Sequence, residues 1–220
     1  MKLKERLLSV LFPPKCIFCR KTMAKEGVCA DCAKRLPRRK NPKVKEGIGF
    51  VDACFAPLYY EGYVRSAILR YKFGGVKASA VEFAKILAPC IEENLDGKYD
   101  SITWVPTSRG RRRKRGYDQA QVLAEELGRM LGVPCQKLLK KNRDAKPQSR
   151  QSTREKRMAN IIGAFDMKSQ SVLGKRILLI DDIATTGSTI SECARVLKTA
   201  GAAKVYAAVL AKTRLSQKNN

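Results

Sequence analysis

The stretch I-L-L-I-D-D-I-A-T-T-G-S-T at positions 177–189 decides the fold. Its apolar start predicts a short buried strand of a parallel sheet over 176–181, ended by two aspartates. Hydroxyl side chains and a glycine follow, and the apolar spacing over 190–200 predicts a helix. Ligands of open α/β sheets bind at the carboxyl ends of strands, and a helix N-terminus there presents free N–H groups to an anion. The stretch therefore predicts an anion site.

The chemistry at this turn is typical of a site for a phosphorylated sugar. Backbone amides and four hydroxyl groups would surround a phosphate; they belong to Thr185, Thr186, Ser188 and Thr189. Gly187 would let the backbone approach closely, and Asp181 and Asp182 can accept hydrogen bonds from ribose hydroxyls or help to hold Mg²⁺. The lysine of a P-loop and the G-x-G-x-x-G of a dinucleotide site are both missing. The simpler alternative is a buried strand with a polar turn.

Composition restricts the remaining possibilities. The chain has 220 residues, enough for one domain with a small appendage, and 44% of them are hydrophobic, enough for a core. Its net charge of +25 favours polyanionic partners, although a basic surface that serves only solubility would give the same number. Histidine is absent, which excludes Ser-His-Asp and Cys-His catalysis and every metal site that needs histidine.

No run of eighteen apolar residues occurs, so we expect no membrane span. The first twelve residues predict a short amphipathic helix over 3–11, and they are too short, with Glu5 too early, for a signal peptide. We therefore expect a cytoplasmic protein.

Two C-x2-C pairs near the N-terminus predict a metal site. Cys16 and Cys19 form one pair, Cys29 and Cys32 the other, and four thiolates suit a structural zinc ion. An iron–sulfur cluster is the alternative. The sequence predicts three regions: the N-terminal helix and zinc finger at 1–36, a basic linker at 37–49 and an α/β domain at 50–220.

The α/β domain contains alternating strand and helix patterns. We predict strands at 51–60, 101–106, 161–167 and 205–211, helices at 64–73, 78–95 and 117–131, and a polar flap at 140–157. Six of the seven residues at 109–115 are Arg or Lys, directly after a strand. We interpret this segment as a tight basic loop that would suit a pyrophosphate or a nucleic-acid backbone.

The stretch at 177–189 resembles the 5-phosphoribosyl-1-pyrophosphate (PRPP) motif of type I phosphoribosyltransferases. The order of the paired cysteines, Y-K-F-G-G, R-G-Y-D-Q-A-Q, the R-x-x-x-P-Q flap, N-I-I-G-A-F and L-I-D-D-I-A-T-T-G-S-T is similar to the ComF family over nearly the whole chain. Asp118 stands where the family usually has Asn, and Ala145 where Thr is common. The resemblance implies a type I phosphoribosyltransferase-like parallel sheet flanked by helices, an α/β fold, with a small N-terminal zinc module of four cysteines.

The resemblance also implies roles for individual residues. Those implied to contact PRPP are Asp181 and Asp182 at the ribose, Ala184, Thr185, Thr186, Gly187, Ser188 and Thr189 at the 5′-phosphate, Thr107, Ser108 and Arg109 at the pyrophosphate, and Lys72 or Arg115 as neutralising cations. Mg²⁺ would arrive bound to PRPP. The basic residues assigned to nucleic acid are Arg111, Arg112, Arg113 and Lys114.

Two functions follow from the resemblance. The first is a PRPP-binding cytoplasmic factor of DNA uptake in natural transformation, which binds single-stranded DNA beside a helicase-like ATPase. The second is an active phosphoribosyltransferase that acts on a base, an amine or a nucleic acid. A third hypothesis is a zinc-module scaffold with a vestigial PRPP site. The sequence assigns no catalytic residue and leaves open whether transfer takes place.

Overall fold

The structure, a computed structural model, describes residues 13–44, 48–74, 79–142, 161–168 and 170–214. The helices of these residues are α1 (Ala30–Arg35), α2 (Gly62–Phe73), α3 (Ser79–Leu95), α4 (Arg109–Arg115), α5 (Gln119–Leu131) and α6 (Ser188–Thr199). The strands are β1 (Ala53–Phe55), β2 (Leu58–Tyr59), β3 (Ser101–Trp104), β4 (Leu139–Lys141), β5 (Phe165–Met167), β6 (Arg176–Ala184) and β7 (Lys204–Lys212).

The main sheet is parallel, with the strand order β1–β7–β6–β3. β2 follows β1 along the same side of β7, and β4 and β5 form a separate antiparallel pair. Trp104 on β3 is paired with Ile180 on β6, and Ile180 is paired with Ala208 on β7. Because all these strands point the same way, the segments after β3, β6 and β7 meet at one edge of the sheet.

The two central strands are buried on both faces, which explains their continuous apolar sequence. Leu178 and Ile180 of β6 pack with α2, α3 and α5 in one hydrophobic core. Ile177 and Leu179 belong to a second core, which contains residues of α6 and of the β4–β5 pair. The alternation follows from the two-residue period of a strand.

The cysteine-rich segment packs against the first of these cores. Phe18, only 2% exposed, lies with its ring 5.8 Å from that of Tyr63 and 6.2 Å from that of Phe83, both in edge-on geometry. This contact joins the segment to α2 and α3 by apolar burial as well as by the chain.

The predicted linker is hydrogen-bonded along the edge of the sheet. Tyr59 N–H donates to the carbonyl of Pro37 at 2.9 Å, Ala56 N–H to that of Pro42 at 2.8 Å, and Val44 N–H to that of Cys54 at 2.8 Å. This pairing covers the backbone of the edge strands. The domain boundaries at 36 and 49 stay a prediction.

Several element bounds differ from the prediction. The single strand expected at 51–60 is two short strands, since Pro57 between them has no N–H to donate to a sheet. The strand expected at 161–167 begins only at Phe165, because Gly163 adopts a positive φ of 72° and the preceding residues form a turn. The predicted N-terminal helix and residues 143–157 of the predicted flap lie outside the described residues.

None of the helices in the described ranges is long and apolar enough to cross a membrane.

We expect Phe18→Ala to lower the free energy of unfolding by about 3–5 kcal/mol, because it removes a buried aromatic ring from a packed contact. Chemical denaturation of the full chain measures this. Phe50→Ala is the matched control, since Phe50 is 58% exposed, and it should change the free energy of unfolding by no more than about 0.5 kcal/mol. Equal effects of the two substitutions would show that the cysteine-rich segment does not dock on the domain.

Candidate functional site

The two aspartates of the opening stretch lie within β6. The strand continues past them to Ala184, which is paired with Lys212 of β7. The expectation that the aspartates end the strand was therefore wrong. The reason is the length of β7, whose nine residues offer pairing partners as far as Lys212. Asp182 is buried and Asp181 is half-buried at this edge of the sheet.

The loop after β6 directs hydroxyl groups and backbone toward the same edge. Gly187, before the first residue of α6, has a positive φ of 79°, a conformation that favours glycine. The hydroxyl oxygens of Thr186 and Ser188 lie 2.8 Å apart, and the Lys212 ammonium donates a hydrogen bond to the carbonyl of Thr185. The first turn of α6 begins here, so its free N–H groups lie at this edge of the sheet. Thr189 is half-buried in that turn.

Two cations converge on Asp182. The Lys72 ammonium nitrogen lies 2.9 Å from its carboxylate. The Arg115 guanidinium lies over the Phe73 ring, 4.6 Å from the ring centroid, and donates to Gln119 at 2.7 Å. Burial lowers the pKa of Arg115, and the negative charge of Asp182 opposes that shift. In this structure Lys72 is therefore paired with Asp182, and Arg115 adds positive charge nearby.

The ionised form of Asp181 is unfavourable in this position. Burial and then the charge of Asp182 raise its pKa well above the ordinary range of an aspartate, and Lys72 acts in the opposite direction. The backbone N–H of Asp182 donates to the Asp181 carboxylate at 2.8 Å. A ligand that donates hydrogen bonds or brings a cation would stabilise the ionised pair.

The β3–α4 loop lies beside the aspartates, because Val105 N–H donates to the carbonyl of Ile180 at 2.9 Å. Thr107 N–H donates to the carboxylate of Asp118 at 2.8 Å, and Asp118 also caps the N-terminus of α5. Burial raises the pKa of Asp118, against the hydrogen bonds that it accepts from backbone N–H groups. Sequence reasoning noted Asp118 only as a departure from a pattern and missed this positioning role.

The predicted basic loop at 109–115 is instead a helix, α4. Ser108 caps its start by accepting a hydrogen bond from Arg111 N–H at 3.4 Å, and Gly116 ends it with a φ of 79°. Cations in the last turn of a helix are stabilised by the partial negative charge there. All four residues assigned to nucleic acid are exposed on this helix; they are Arg111, Arg112, Arg113 and Lys114.

Four cysteines form a candidate metal centre. The sulfur atoms of Cys16, Cys19, Cys29 and Cys32 all lie within 4.8 Å of one another, and those of Cys19 and Cys29 are 3.7 Å apart. A tetrahedral zinc ion with Zn–S bonds of about 2.3 Å separates its sulfur ligands by about 3.8 Å. The thiol cluster therefore fits a structural zinc ion, whose binding free energy would stabilise this small module.

Backbone groups prepare this centre for a cation. Cys29 N–H points at the sulfur of Cys16 at 3.4 Å, and Cys32 N–H at the sulfur of Cys29 at 3.4 Å. Burial raises the pKa of Cys16, but N–H donors, that of Cys29 first, outweigh it and lower the pKa. A thiolate at neutral pH is the form that binds metal.

Helix α2 touches both centres. The guanidinium of Arg70 donates to the carbonyls of Ile17 and Phe18, at 2.8 and 2.7 Å, between the first two cysteines. Lys72, two residues later, makes the ion pair with Asp182. Between them Tyr71 is fully buried and donates to the carbonyl of Gln119 at 2.7 Å. The sequence did not predict the contacts of Arg70 and Lys212. Each is only a charged residue beside an apolar run, and that pattern does not indicate a partner.

Comparison with known proteins identifies two domains along the chain. Residues 114–220 match the family model of the phosphoribosyl transferase domain, and residues 7–43 match that of the double zinc ribbon domain. Together the parallel sheet, the acidic edge and the thiol cluster define a phosphoribosyltransferase-fold protein with an N-terminal zinc ribbon.

Relatives of known name identify the family within this class of protein. Competence protein ComFC of Streptococcus pneumoniae is 32% identical over 161 residues, which cover 73% of this chain and 68% of the relative. Competence protein ComFC of Bacillus subtilis is 28% identical over 188 residues, 86% of this chain and 73% of the relative. The DNA utilization protein YhgH of Escherichia coli K12 is 34% identical over 117 residues, about half of each chain (52% and 50%). The chain belongs to the ComFC family of competence proteins.

Among solved structures, the chain is similar to a glutamine PRPP amidotransferase from Bacillus subtilis. It is 23% identical, with a TM-score of 0.42 over 61% of this chain and 26% of that chain.

We expect Cys29→Ser to abolish the binding of about one zinc ion per chain, because one of four thiolate ligands is lost. Metal analysis of the purified protein measures this, with Cys135→Ser as the control at a half-buried cysteine outside the cluster. Iron and sulfide in place of zinc would establish the alternative cluster. Zinc retained at the wild-type level in Cys29→Ser would contradict the four-thiolate site.

We expect Asp181→Asn to stabilise the protein more at about pH 8 than at about pH 5. The folded-state pKa of Asp181 lies above its unfolded value of about 4, so the folded state binds the extra proton and wild-type stability falls as pH rises from about 4. Denaturation of both proteins at the two pH values measures the difference.

Asp52→Asn is the control, because the pKa of Asp52 is shifted in the opposite direction. Burial raises the pKa of Asp52, but Lys198, Val205 N–H and Lys204 outweigh it and bring the pKa to about 2. Its substitution should destabilise the protein equally at both pH values, because the carboxyl is ionised at both. A pH-independent effect of Asp181→Asn would contradict the raised pKa.

Proposed function

We propose that the protein binds PRPP together with Mg²⁺ at the carboxyl edge of its sheet and acts in DNA uptake, where it contacts single-stranded DNA. The observation that carries the first part is the arrangement after β6. Two adjacent carboxylates precede a hydroxyl-rich loop, and the loop ends at a helix N-terminus. A phosphorylated sugar needs this combination, because its hydroxyl groups donate to acceptors while its phosphate requires anion-binding donors.

In this proposal the carboxylates of Asp181 and Asp182 accept hydrogen bonds from the two ribose hydroxyls. The 5′-phosphate lies over the N-terminus of α6, where backbone N–H groups and the hydroxyls of Thr185, Thr186, Ser188 and Thr189 surround it. Gly187 gives the loop its turn into α6, because a residue with a side chain would be strained at this positive φ. The buried ammonium group of Lys212 stabilises the loop, because it donates a hydrogen bond to the carbonyl of Thr185.

The pyrophosphate lies toward the β3–α4 loop, next to Thr107, Ser108 and Arg109. Mg²⁺ supplied with PRPP neutralises part of its charge. Lys72 is shared between Asp182 and the ligand, since its ammonium has three donors and uses one of them on the carboxylate. Arg115 remains against Phe73 and adds positive potential without a direct contact.

Binding of PRPP would also stabilise the ionised forms of the two aspartates. Ionised Asp181 and Asp182 repel each other at this largely buried position, and hydrogen-bond donors from a ribose favour the charged form of both. Affinity for PRPP should therefore rise with pH in the range in which Asp181 loses its proton.

The role in DNA uptake is supported by the family. Its members carry the names competence protein and DNA utilization protein. A chain with net charge +25 has the electrostatics for nucleic acid, and contacts to phosphates give affinity without sequence preference. A helicase-like ATPase as a protein partner is part of the same proposal.

An active phosphoribosyltransferase is the second candidate. Its chemistry would pass through an oxocarbenium-like transition state, which positioning and electrostatic stabilisation favour. The observation in its favour is that both aspartates and all four hydroxyl residues of the motif are present and lie at one edge of the sheet. The two candidates share the PRPP site and differ only in turnover.

We expect PRPP with Mg²⁺ to bind the wild type and to lose about 100-fold or more in affinity in the double variant Asp181→Asn/Asp182→Asn. Two charge-assisted hydrogen bonds of about 1.5–3 kcal/mol each are weakened together. Calorimetric titration measures this, with Glu92→Gln/Glu93→Gln on the exposed side of α3 as the control with the same change in charge.

No binding of PRPP to the wild type would overturn the proposal, and equal affinity of the two double variants would overturn the ribose assignment. A pyrophosphate-release assay with single-stranded DNA, free bases and ammonia then separates the candidates. Release above the rate of the Asp181→Asn/Asp182→Asn variant identifies a transferase, and its absence identifies a binding protein.

A further inference from the structure

A cleft of about 600 Å³ opens between the β3–α4 loop and the β4–β5 pair. Six of its eleven lining residues are cationic: Arg109, Arg112, Lys137, Lys140, Lys141 and Lys168. Arg109 and Arg112 come from one face of α4, and the lysines come from β4 and the segments beside β4 and β5. Sequence reasoning did not bring these two groups together, because about 25 to 60 positions separate them along the chain.

Most of the positive charge of this cleft is not neutralised by neighbouring carboxylates. Asp118 is the one acid among the described lining residues, and it already accepts hydrogen bonds from Thr107 N–H and Gln121 N–H. Among the cations that line the cleft, five make no ion pair with a residue of the described part of the chain: Arg109, Arg112, Lys137, Lys140 and Lys168. Burial and then the charges of Lys168 and Arg112 lower the pKa of Lys137. The cations therefore repel one another, and an anion between them would remove this repulsion.

The shape favours a linear anion. A second hollow beside α4 is lined by Arg109, Arg112, Arg113 and Gly116, so that two arginines line both the cleft and this hollow. The positive surface thus continues from the cleft across the helix. Pockets for small molecules are mostly apolar with a few polar groups, whereas a groove of repeated cations is typical of proteins that follow a nucleic-acid backbone.

We propose that the lysines of this cleft and the hollow beside α4 bind the phosphate backbone of a single nucleic-acid strand. The strand runs beside the phosphoribosyl site, whose pyrophosphate takes the end of the cleft at Thr107, Ser108 and Arg109. The proposal rests on the proposed function and gives its DNA contact a location. A rigid duplex cannot bend into a cleft of this size, whereas a single strand can. The described cleft lining contains no aromatic side chain, so bases are not stacked there and the binding has little sequence preference.

The test compares Lys137→Ala/Lys168→Ala with Lys98→Ala/Lys175→Ala. Lys168 is exposed and Lys137 half-buried, and neither side chain has a packing role in the cores. The control pair removes the same charge from exposed lysines at the amino ends of β3 and β6, the opposite edge of the sheet. Unchanged thermal unfolding of both variants confirms that they are folded.

Binding of labelled oligodeoxythymidylate is followed by fluorescence anisotropy over a series of salt concentrations. We expect the cleft variant to lose about 10- to 30-fold in affinity at about 0.1 M salt, and the slope of log K against log salt to become shallower by about 1.4, or about 0.7 for each lost phosphate contact. The control variant should match the wild type, and duplex DNA of the same length should bind more weakly than the single strand.

Titration of PRPP into the same variants separates this proposal from the one on which it rests. PRPP affinity within about twofold of the wild type supports a separate strand site, since tenfold corresponds to about 1.4 kcal/mol. A parallel loss of PRPP affinity in the cleft variant would assign the cleft to pyrophosphate and overturn the inference. Equal loss of DNA affinity in the two variants would also overturn it. No DNA binding by the wild type would contradict the DNA part of the proposed function itself.

Discussion

The pairing of β6 with β7 is the constraint on which the rest of the site depends. Eight paired positions run from Arg176 and Lys204 to Ala184 and Lys212, past both aspartates. The carboxylates are therefore carried by a strand in the middle of the sheet and not by a loop that could move away from a charge. Two adjacent acids held in this way repel each other, and the surrounding structure compensates with Lys72 of α2 and Arg115 of α4.

Much of this arrangement was predictable because its determinants are local. The apolar run before Asp181 predicted a buried parallel strand, and the two C-x2-C pairs predicted the thiol cluster. The helix α4 was also predictable in principle, since Ser108 and Gly116 are ordinary start and stop residues. The prediction of a loop rested on the dense positive charge between these two residues and not on the capping residues themselves. A short helix accommodates such charge at its C-terminal end better than a compact loop does.

Other features could not be found in the sequence because they depend on residues that are distant along the chain. The ion pair of Lys72 with Asp182 joins positions 110 residues apart, and no charge pattern near either one indicates it. The cleft lysines follow from the way in which β4 and β5 pair, which sequence periodicity does not specify for strands of three residues. The net positive charge of the chain favoured a polyanionic partner. Only the fold shows that some of the cationic side chains are concentrated beside the β3–α4 loop.

The double attachment of α2 restricts how this segment can vary. Successive residues of an α-helix are turned by about 100°, so Arg70 and Lys72, two positions apart, point to nearly opposite sides of the helix axis. One side reaches the carbonyls of the zinc ribbon and the other reaches Asp182. Insertion or deletion of a single residue between them would turn one of the two side chains away by more than a quarter of a revolution. The length of this segment is therefore fixed by geometry, even where the identity of its exposed residues is free to change.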